Sequence, residues 1–413
     1  MIKSEGPQDF DPLAPETFDS PYAVYSDLRQ RCPVAHSQAW NGFWALMEYD
    51  DVLAALQQSD TYITSVQNVV PKLAFTGRRP PLHLDPPAHT PYRRALNPLF
   101  RPERMLALEP VIRRHAVTLL QPLVDRGHGD ICEEFTSHLS IYVFASWMNM
   151  PEQMLSDLRS IGRAYNIAVQ KFEDELVKET SLKLYDIARE VIRLRKLQPL
   201  DPLDDPASAL LVARDDEGEL LPEDMILGTI RQVLVVGIIA PTVIIGSICV
   251  HLSRDQQLQQ QLRERPDQIP AALEEFLRLY TPYRGFARTA NKDVTVQART
   301  IPKGEPIALV YASANRDEKI FEDAGSFRLD RPNINRHLAF GTGPHRCAGM
   351  PLARSELRIA LEEILAGTEQ FELCGEVKVT RFPEIGALSV PLQFRRTSST
   401  AHSRAMSGPA PAT

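Results

Sequence analysis

The sequence lacks the features that mark several large classes of protein. It has five cysteines in 413 residues and none forms a CxxC pair, which argues against a disulfide framework. The formal net charge of −7 argues against nucleic acid as the main partner, because such partners require a concentrated basic face. The polar N-terminus has no charged region followed by an apolar run, so we predict no signal peptide and a cytoplasmic location.

Long apolar runs are also scarce, and the conspicuous one covers Val233–Val250. It carries no charge and is long enough to be weighed as a membrane span. Gly237 and Pro241 lie in its middle, however, and the polar chain on both sides gives it no anchoring pattern. A helix that is apolar all round is also typical of the centre of a large helical protein, so we predict a buried helix and no membrane contact.

The spacing of apolar residues predicts a mainly α-helical chain with a small β region. Residues 1–21 are rich in Pro and Asp and are predicted to be extended; helical spacing then continues to about Pro282, and short strands follow Asp293. Residues 395–413 are predicted to be a flexible tail or an interdomain linker. The predicted helices are Tyr22–Arg31, Asp50–Gln58, Pro102–Arg126, Ile131–Met148, Met154–Ile161, Leu176–Leu194, one beginning near Pro270, and Ala348–Leu365.

The most informative segment is a short loop near the C-terminus. It reads Phe340-Gly341-Thr342-Gly343-Pro344-His345-Arg346-Cys347-Ala348-Gly349. It resembles the haem-binding loop of the cytochrome P-450 family, FGxGxHxCxG, at every fixed position. The resemblance extends over roughly residues 12–394. It implies that family's fold, with one haem b between a long central helix and the cysteine loop, in a haem domain of residues 1–394.

Each fixed position of this loop has a physical reason. Cys347 is the implied iron ligand and precedes a helix, whose free amides and dipole stabilise a thiolate. Gly341 and Gly343 permit tight turns that direct backbone amides at the sulfur. Phe340 is expected to shield the sulfur from water, and Gly349 to let the helix approach the porphyrin. A zinc site lacks further ligands at metal spacing, and a dinucleotide loop lacks its third glycine.

Glu275-Phe-Leu-Arg278 resembles the family's ExxR pair. Taken alone it is only an i,i+3 ion pair on a helix, and such pairs are common. The resemblance implies that it joins Arg331 and locks the loop that precedes the cysteine. We therefore predict a structural role for these three residues.

Four further residues are implied to bind the haem propionates. His89 and Arg93 belong to a segment similar to the family's DPPxHxxxR, and their spacing of four places both on one side of a helix. Arg288 and His345 match the family's other propionate donors. Donors that converge on one face suit an anionic group.

The central helix departs from the family pattern. The family carries a glycine there, followed by an acid and a threonine that relay protons for oxygen activation. Gly237 matches the glycine, but Ile239 takes the place of the acid and Ala240 that of the threonine. Neither side chain can carry a proton. The usual relay is therefore predicted to be absent.

Pro241 offers a partial substitute for the relay. It has no N–H, so the carbonyl of Gly237 loses its helical partner and is free to hold a water molecule. We hypothesise that ordered water, together with Thr242, replaces the side-chain relay. The alternative is that Pro241 only kinks a packed helix.

The substrate pocket is expected, from the resemblance, to be mostly apolar. Val236, Ile239 and Ala240 on the central helix are expected above the haem, with Phe286 and Ala287 after the ExxR helix. The segments 63–73 and 385–388 are expected to close the site. An apolar site suits a small hydrophobic or aromatic substrate held by shape. Arg284 is expected to face solvent, with a substrate carboxylate as the alternative partner.

The predicted function is a monooxygenase that inserts one oxygen atom of O2 by hydroxylation or O-dealkylation. Its electrons are expected from a ferredoxin- or flavodoxin-type partner, or from a fused FMN and 2Fe-2S reductase domain after residue 413. Arg346 and Arg354 are the residues expected to dock an acidic donor. Two alternatives remain: a peroxygenase driven by hydrogen peroxide, and a non-catalytic haem module that senses gas or transfers electrons.

Overall fold

The structure, a computed structural model, describes residues 7–284 and 286–396. Within those ranges fifteen α-helices surround a few small sheets, which confirms the predicted fold class. The helices are α1 Pro15–Asp19, α2 Pro21–Arg31, α3 Tyr49–Gln57, α4 Thr90–Leu96, α5 Pro102–Arg126, α6 Ser137–Trp147, α7 Leu155–Lys171, α8 Asp174–Leu197, α9 Pro206–Val212, α10 Glu223–Val236, α11 Ile239–Arg254, α12 Gln256–Glu264, α13 Ile269–Leu279, α14 Tyr311–Ala314 and α15 Met350–Gly367.

The strands are short and belong to four sheets. They are β1 Val34–Ser37, β2 Phe43–Leu46, β3 Tyr62–Ile63, β4 His128–Asp130, β5 Phe286–Ala290, β6 Val294–Val296, β7 Arg299–Ile301, β8 Pro306–Leu309, β9 Thr368–Leu373, β10 Lys378–Val379, β11 Ala387–Ser389 and β12 Pro391–Arg396. The largest sheet has the order β1-β2-β8-β5-β3, in which β2 and β8 are parallel and the other pairs antiparallel.

This largest sheet corrects the prediction of an essentially helical chain up to Pro282. All four residues of β1, and all four of β2, are buried, so neither strand shows the alternation that marks a half-exposed strand. Short buried strands and buried helical segments have the same apolar composition. Only the pairing of β2 with β8, which lies more than 250 residues later in the chain, identifies this region as strand and not as buried helix.

The N-terminal segment also differs from its prediction. Residues 1–21 were expected to be extended, but α1 forms over Pro15–Asp19, with its proline in the first turn, where the missing N–H has no cost. At the other end, β12 continues to Arg396, and residues 397–413 of the predicted tail lie outside the described residues.

The apolar run at 233–250 forms two helices instead of one. α10 ends at Val236 and α11 begins at Ile239, so Pro241 lies in the first turn of α11, where its missing N–H leaves no helical bond broken. The stretch Glu223–Arg254 is long and apolar enough to cross a membrane by length and composition, but 61% of its most apolar part is buried. This burial among other elements fits the predicted central helix.

Candidate active site

A cavity of about 450 Å³ lies between the α10–α11 junction and the loop before α15. Residues 64–69 and 79–83 form one wall, and β5 contributes another. Cys347 and Gly349 line the cavity on the side of α15, while Ile239 and Ala240 line it from α11. One interior space therefore contains both the predicted iron ligand and the departure from the family pattern.

The Cys347 loop is held in a tight turn by its glycines. The amide of Cys347 donates to the carbonyl of Phe340 at 2.9 Å, which closes the loop. Gly341 and Gly343 have φ of +61° and +69°, a region that residues with a side chain rarely adopt. A Cβ atom on Gly343 would lie 2.3 Å from the carbonyl oxygen of Leu56. The turn therefore requires glycine for its conformation and for the close approach of α3.

Cys347 lines the cavity. Burial away from bulk water raises the pKa of the Cys347 thiol, while the backbone amides of Gly349 and Met350 and the charge of Arg93 act in the opposite direction. These two amides belong to the start of α15, whereas the turns at Gly341 and Gly343 were predicted to direct amides at the sulfur. Phe340 also lines the cavity, and the Arg354 guanidinium lies 4.9 Å from its ring centroid.

A buried charge network fixes the chain that leads to this loop. The Glu275 carboxylate accepts two hydrogen bonds from Arg278, at 2.7 and 2.8 Å, and one from the Nε of Arg331 at 2.9 Å. The amide of Arg328 donates to the same carboxylate at 3.0 Å. All three predicted members are almost fully buried. The network therefore attaches α13 to residues 326–331, a few residues before the cysteine loop.

The predicted propionate donors converge at one end of the cavity. Arg93, Arg288 and His345 line it, and no carboxylate among the described residues pairs with either guanidinium. His89 is placed differently: its Nε2 lies 3.2 Å from the carbonyl of Pro344, and its ring packs 4.9 Å from that of His345. Burial, followed by the charge of Arg288, lowers the pKa of His345 to about 3, so its ring is neutral.

The chain resembles proteins of known family over most of its length. A family model described as cytochrome P-450 matches residues 247–391. Cytochrome P-450 130 of Mycobacterium tuberculosis is 30% identical over 370 residues, which are 87% of this chain and 90% of that protein. The mycinamicin IV hydroxylase/epoxidase of Micromonospora griseorubida is 31% identical over 83% of this chain and 86% of its own. This chain belongs to the cytochrome P-450 family.

The fold agrees with this assignment. The solved structure of the cytochrome P-450 CYP109Q5 from Chondromyces apiculatus has a TM-score of 0.85 and 26% identity, and the match covers 94% of this chain and 99% of that one. The protein is therefore an oxidoreductase of the monooxygenase class that binds haem b and uses O2, a hydrophobic substrate and a redox partner.

The residues of the cavity fit haem b. Its two propionates carry negative charge, and the cavity presents Arg93 and Arg288 without a carboxylate partner among the described residues. Gly349 leaves room for the porphyrin, because a Cβ atom there would meet only Phe100 at 3.9 Å and the sulfur of Cys347 at 4.0 Å. A thiolate ligand, two cations and an open face are what an iron porphyrin requires.

The distal wall of this cytochrome P-450, formed by residues 64–69, residues 79–83 and the α10–α11 junction, is apolar at Ile239 and Ala240, the two positions where the proton relay was predicted to be absent. The residues of α11 that line the cavity are Ile239, Ala240, Pro241 and Ile244. Gly237 lines it as well, packed so closely on Phe144 that a Cβ atom would lie 2.7 Å from that ring. Thr242 does not line the cavity, and its buried hydroxyl donates to the carbonyl of Ile238 at 3.0 Å.

One residue that was predicted to line the substrate pocket, Ala287, lies on the other face of its strand. Val236 and Phe286 line the cavity as predicted, but Ala287 is fully buried on the opposite side of β5, in an apolar cluster with Phe43 and Val310. Because successive side chains of a strand point to opposite faces, only Phe286 and Arg288 can share the cavity face.

The loop after β10 and the residue Arg284 also differ from expectation. Pro383 and Glu384 line the cavity, whereas Ile385 is buried in the same apolar cluster as Ala287. Arg284 does not face solvent, and no carboxylate among the described residues forms an ion pair with it. It is buried and donates to the backbone carbonyls of Glu384 and Thr17, at 2.8 and 3.0 Å.

The cavity is more polar than the sequence suggested. Arg79, His83, Tyr165 and Gln232 all line it, and none was predicted. The sequence contained one signal of this polarity. Arg231 is the single charge of α10 beyond its first turn, and a charge on an apolar, buried helix is costly unless a polar group lies beside it. Two carboxyl groups also line the cavity, and burial raises the pKa of Glu356 to about 8 and that of Glu384 to about 7.

Proposed function

We propose that this cytochrome P-450 inserts one oxygen atom of O2 into a small hydrophobic or aromatic substrate, by hydroxylation or O-dealkylation. Cys347 ligates the iron, and Arg93, Arg288 and His345 hold the propionates, with His89 supporting His345. The observation that carries the proposal is one cavity that is lined by Cys347, by Arg93, Arg288 and His345, and by the apolar residues of the α10–α11 junction. The haem supplies the oxygen chemistry when it is bound.

The chain's own residues exclude water and position the substrate. Val236, Ile239, Ala240 and Phe286 present apolar surface to the cavity, which favours a substrate held by shape. One relative is named as a mycinamicin IV hydroxylase/epoxidase, and another, from Pseudomonas putida, as linalool 8-monooxygenase. These names support the reaction class, and the apolar wall supports the class of substrate.

Proton delivery must avoid the usual side chains. We assign it to water held at the carbonyl of Gly237, a cavity-lining residue between α10 and α11, because Pro241 has no N–H that could bond this carbonyl. The Thr242 hydroxyl already donates to Ile238, so it supports the bend of the backbone and does not act in the cavity.

The test is turnover of a small aromatic probe panel with isotope-labelled dioxygen, NAD(P)H and a ferredoxin-type reductase system. The proposal expects one labelled oxygen atom in each molecule of product. Product that carries oxygen from water, or no product from any probe despite an intact thiolate-type carbon monoxide spectrum, would contradict it. The exposed Cys374→Ser variant controls for effects of cysteine substitution.

A second candidate function is a peroxygenase, and Ile239 and Ala240 are the observation that favours it. Hydrogen peroxide arrives already reduced and protonated, so it needs less from a proton relay. This candidate expects product with peroxide alone and none with the reductase system. Efficient product formation in the reductase arm would contradict it.

The electron donor is proposed to be of the ferredoxin or flavodoxin type, or a fused FMN and 2Fe-2S reductase after residue 413, in the cytoplasm. Arg346 is exposed next to Cys347 and suits an acidic donor surface. Arg354 is less available, because it makes two hydrogen bonds of 2.7 Å to Glu274. Arg346→Glu is expected to slow reduction by a ferredoxin more than Arg354→Glu.

A further inference from the structure

Arg231 is a buried cation without a carboxylate partner. Its side chain is fully buried in α10, and its guanidinium lies 4.7 Å from the ring centroid of Tyr165 and 6.0 Å from that of Tyr185. Its Nη2 donates to the hydroxyl of Ser181 at 2.7 Å, but its Nε and Nη1 have no hydrogen-bond partner. Within the described ranges, no Asp or Glu forms an ion pair with it.

Arg79 is a second such cation and lines the cavity directly. It is 7% exposed, its Nε lacks a hydrogen-bond partner, and no acidic residue among those described pairs with it. The Tyr165 hydroxyl belongs to the same group. Burial would raise the pKa of Tyr165, but the charges of Arg231 and Arg79 together hold it below its ordinary value.

The backbone is built to bring these two arginines together. A Cβ atom on Gly228 of α10 would lie 2.0 Å from the carbonyl oxygen of Arg78, so only glycine permits this approach of the loop. Gly228 and Arg231 are three residues apart and share one face of α10. The loop is also held to α8, where the hydroxyls of Thr76 and Ser181 lie 2.7 Å apart.

A contribution to the stability of the fold does not explain why Arg79 and Arg231 are buried side by side. Burying one unpaired cation is unfavourable, and a second cation beside it adds repulsion. The two acids that line the cavity do not neutralise them: Glu356 accepts a hydrogen bond from Ser140 at 2.6 Å, and Glu384 accepts one from Gln170. The two haem propionates are already matched by Arg93 and Arg288. Arg79 and Arg231 therefore have no counter-ion within residues 7–284 and 286–396.

We propose that the substrate carries a carboxylate, which binds to the Arg79 guanidinium and the Tyr165 hydroxyl, with Arg231 behind the ring of Tyr165. This inference rests on the proposed function and narrows its substrate to an amphipathic acid. The neutral ring of His83 and the amide of Gln232 line the same end of the cavity and add hydrogen-bonding groups. The apolar part of the acid then lies against Val236 and Ile239, towards the haem.

The test compares phenylalkanoic acids of increasing chain length with their primary amides, which have nearly the same shape but no charge. Binding to the haem-loaded protein is measured at neutral pH by the substrate-induced change in the haem spectrum and by calorimetry. At least one acid should bind roughly ten- to a hundred-fold more tightly than its amide, as expected for charge-assisted hydrogen bonds in a buried site. Arg79→Met should remove this preference.

Two variants separate the binding role from a structural one. Arg78→Met is the matched control, because Arg78 is exposed and does not line the cavity, and it should keep the preference. Arg231→Met should weaken binding of the acids while leaving the melting temperature unchanged or higher, because it removes a buried unpaired charge. A purely structural Arg231 would instead lower the melting temperature and leave the preference intact.

Equal binding of acids and amides, binding of no acid in the series, or a preference that survives Arg79→Met would each overturn the inference. These results are distinguishable from failure of the proposed function. Reductase-driven oxidation of the amides without any preference for the acids would leave the monooxygenase standing and remove the carboxylate site. A clear preference for acids without oxygen insertion would leave the carboxylate site standing and contradict the monooxygenase function.

Discussion

The two walls of the cavity differ in what determines their structure. The proximal wall is formed by residues 340–349 and lies opposite the distal wall. The proximal wall keeps every family position, and its geometry depends on backbone features such as the positive φ of Gly341 and Gly343. The distal wall has lost both proton-carrying side chains at Ile239 and Ala240. The glycine turn leaves little room for substitution, because a Cβ atom on Gly343 would lie 2.3 Å from the carbonyl oxygen of Leu56, whereas Ile239 and Ala240 only present apolar side chains to the cavity.

The comparison extends to the way charge is buried. Beneath the proximal wall the carboxylate of Glu275 satisfies two arginines. On the distal side Arg79 and Arg231 have no carboxylate within the described residues. Removing one partner from a neutralised buried network is costly, whereas an unneutralised buried charge is itself a cost that a ligand can offset. From this difference we infer a structural role for the Glu275 network and a ligand-binding role for Arg79 and Arg231.

The largest expected effect is on the proximal side. Cys347→Ser removes the sulfur ligand, so the thiolate-type carbon monoxide spectrum and oxygen insertion should be lost completely. Far-ultraviolet circular dichroism should remain unchanged. Cys374→Ser, at an exposed position outside the cavity, should retain both properties. A thiolate-type spectrum in Cys347→Ser would refute the assignment of the ligand.

The next effect concerns the network beneath that wall. Glu275→Gln leaves Arg278 and Arg331 buried without their counter-charge and should lower the free energy of unfolding by about 3–5 kcal/mol. Urea denaturation measures the loss. Glu190→Gln breaks an exposed i,i+3 pair with Arg193 and should have almost no effect. Equal losses in the two variants would show that the network does not stabilise the fold.

On the distal side, Pro241→Ala gives position 241 an N–H that can bond the Gly237 carbonyl. If that carbonyl holds the proton-carrying water, the rate of product formation should fall about ten-fold, the equivalent of one lost hydrogen bond. Pro270→Ala, in the first turn of α13, is the control, because its N–H position needs no helical partner. Unchanged rates in Pro241→Ala would leave the proline as a simple break between helices.

The last effect is a pH dependence of stability, and it is small at each step of pH. Burial raises the pKa of Glu356 to about 8, so the folded state keeps a proton that the unfolded state releases above its ordinary pKa of 4.5. Stability should therefore fall between about pH 4.5 and pH 8, by at most about 1.4 kcal/mol per pH unit. Glu356→Gln should flatten this slope, and the exposed Glu217→Gln should not. The same slope in all three proteins would contradict the burial argument.

The sequence predicts best what is local. The bounds of α5, Pro102–Arg126, agree with the prediction, because a proline at its start and Gly127 after its end are read directly from the chain. The Cys347 loop is equally local. β1 and β2 were missed because their pairing is with a strand far along the chain. The cluster of Arg79 and Arg231 was missed for the same reason, since it depends on the contact of Gly228 with a distant loop.

The central claim is that the distal wall supports reductase-driven oxygen insertion without an acid–alcohol pair. The most direct measurement is the fraction of NAD(P)H electrons recovered in product, for the wild type and for the double variant Ile239→Asp/Ala240→Thr, on one substrate. We expect the wild type to be well coupled and the variant to show an altered fraction, because it adds a second proton route beside the water at Gly237. An unchanged fraction, or a wild type that forms product only with hydrogen peroxide, would contradict the claim.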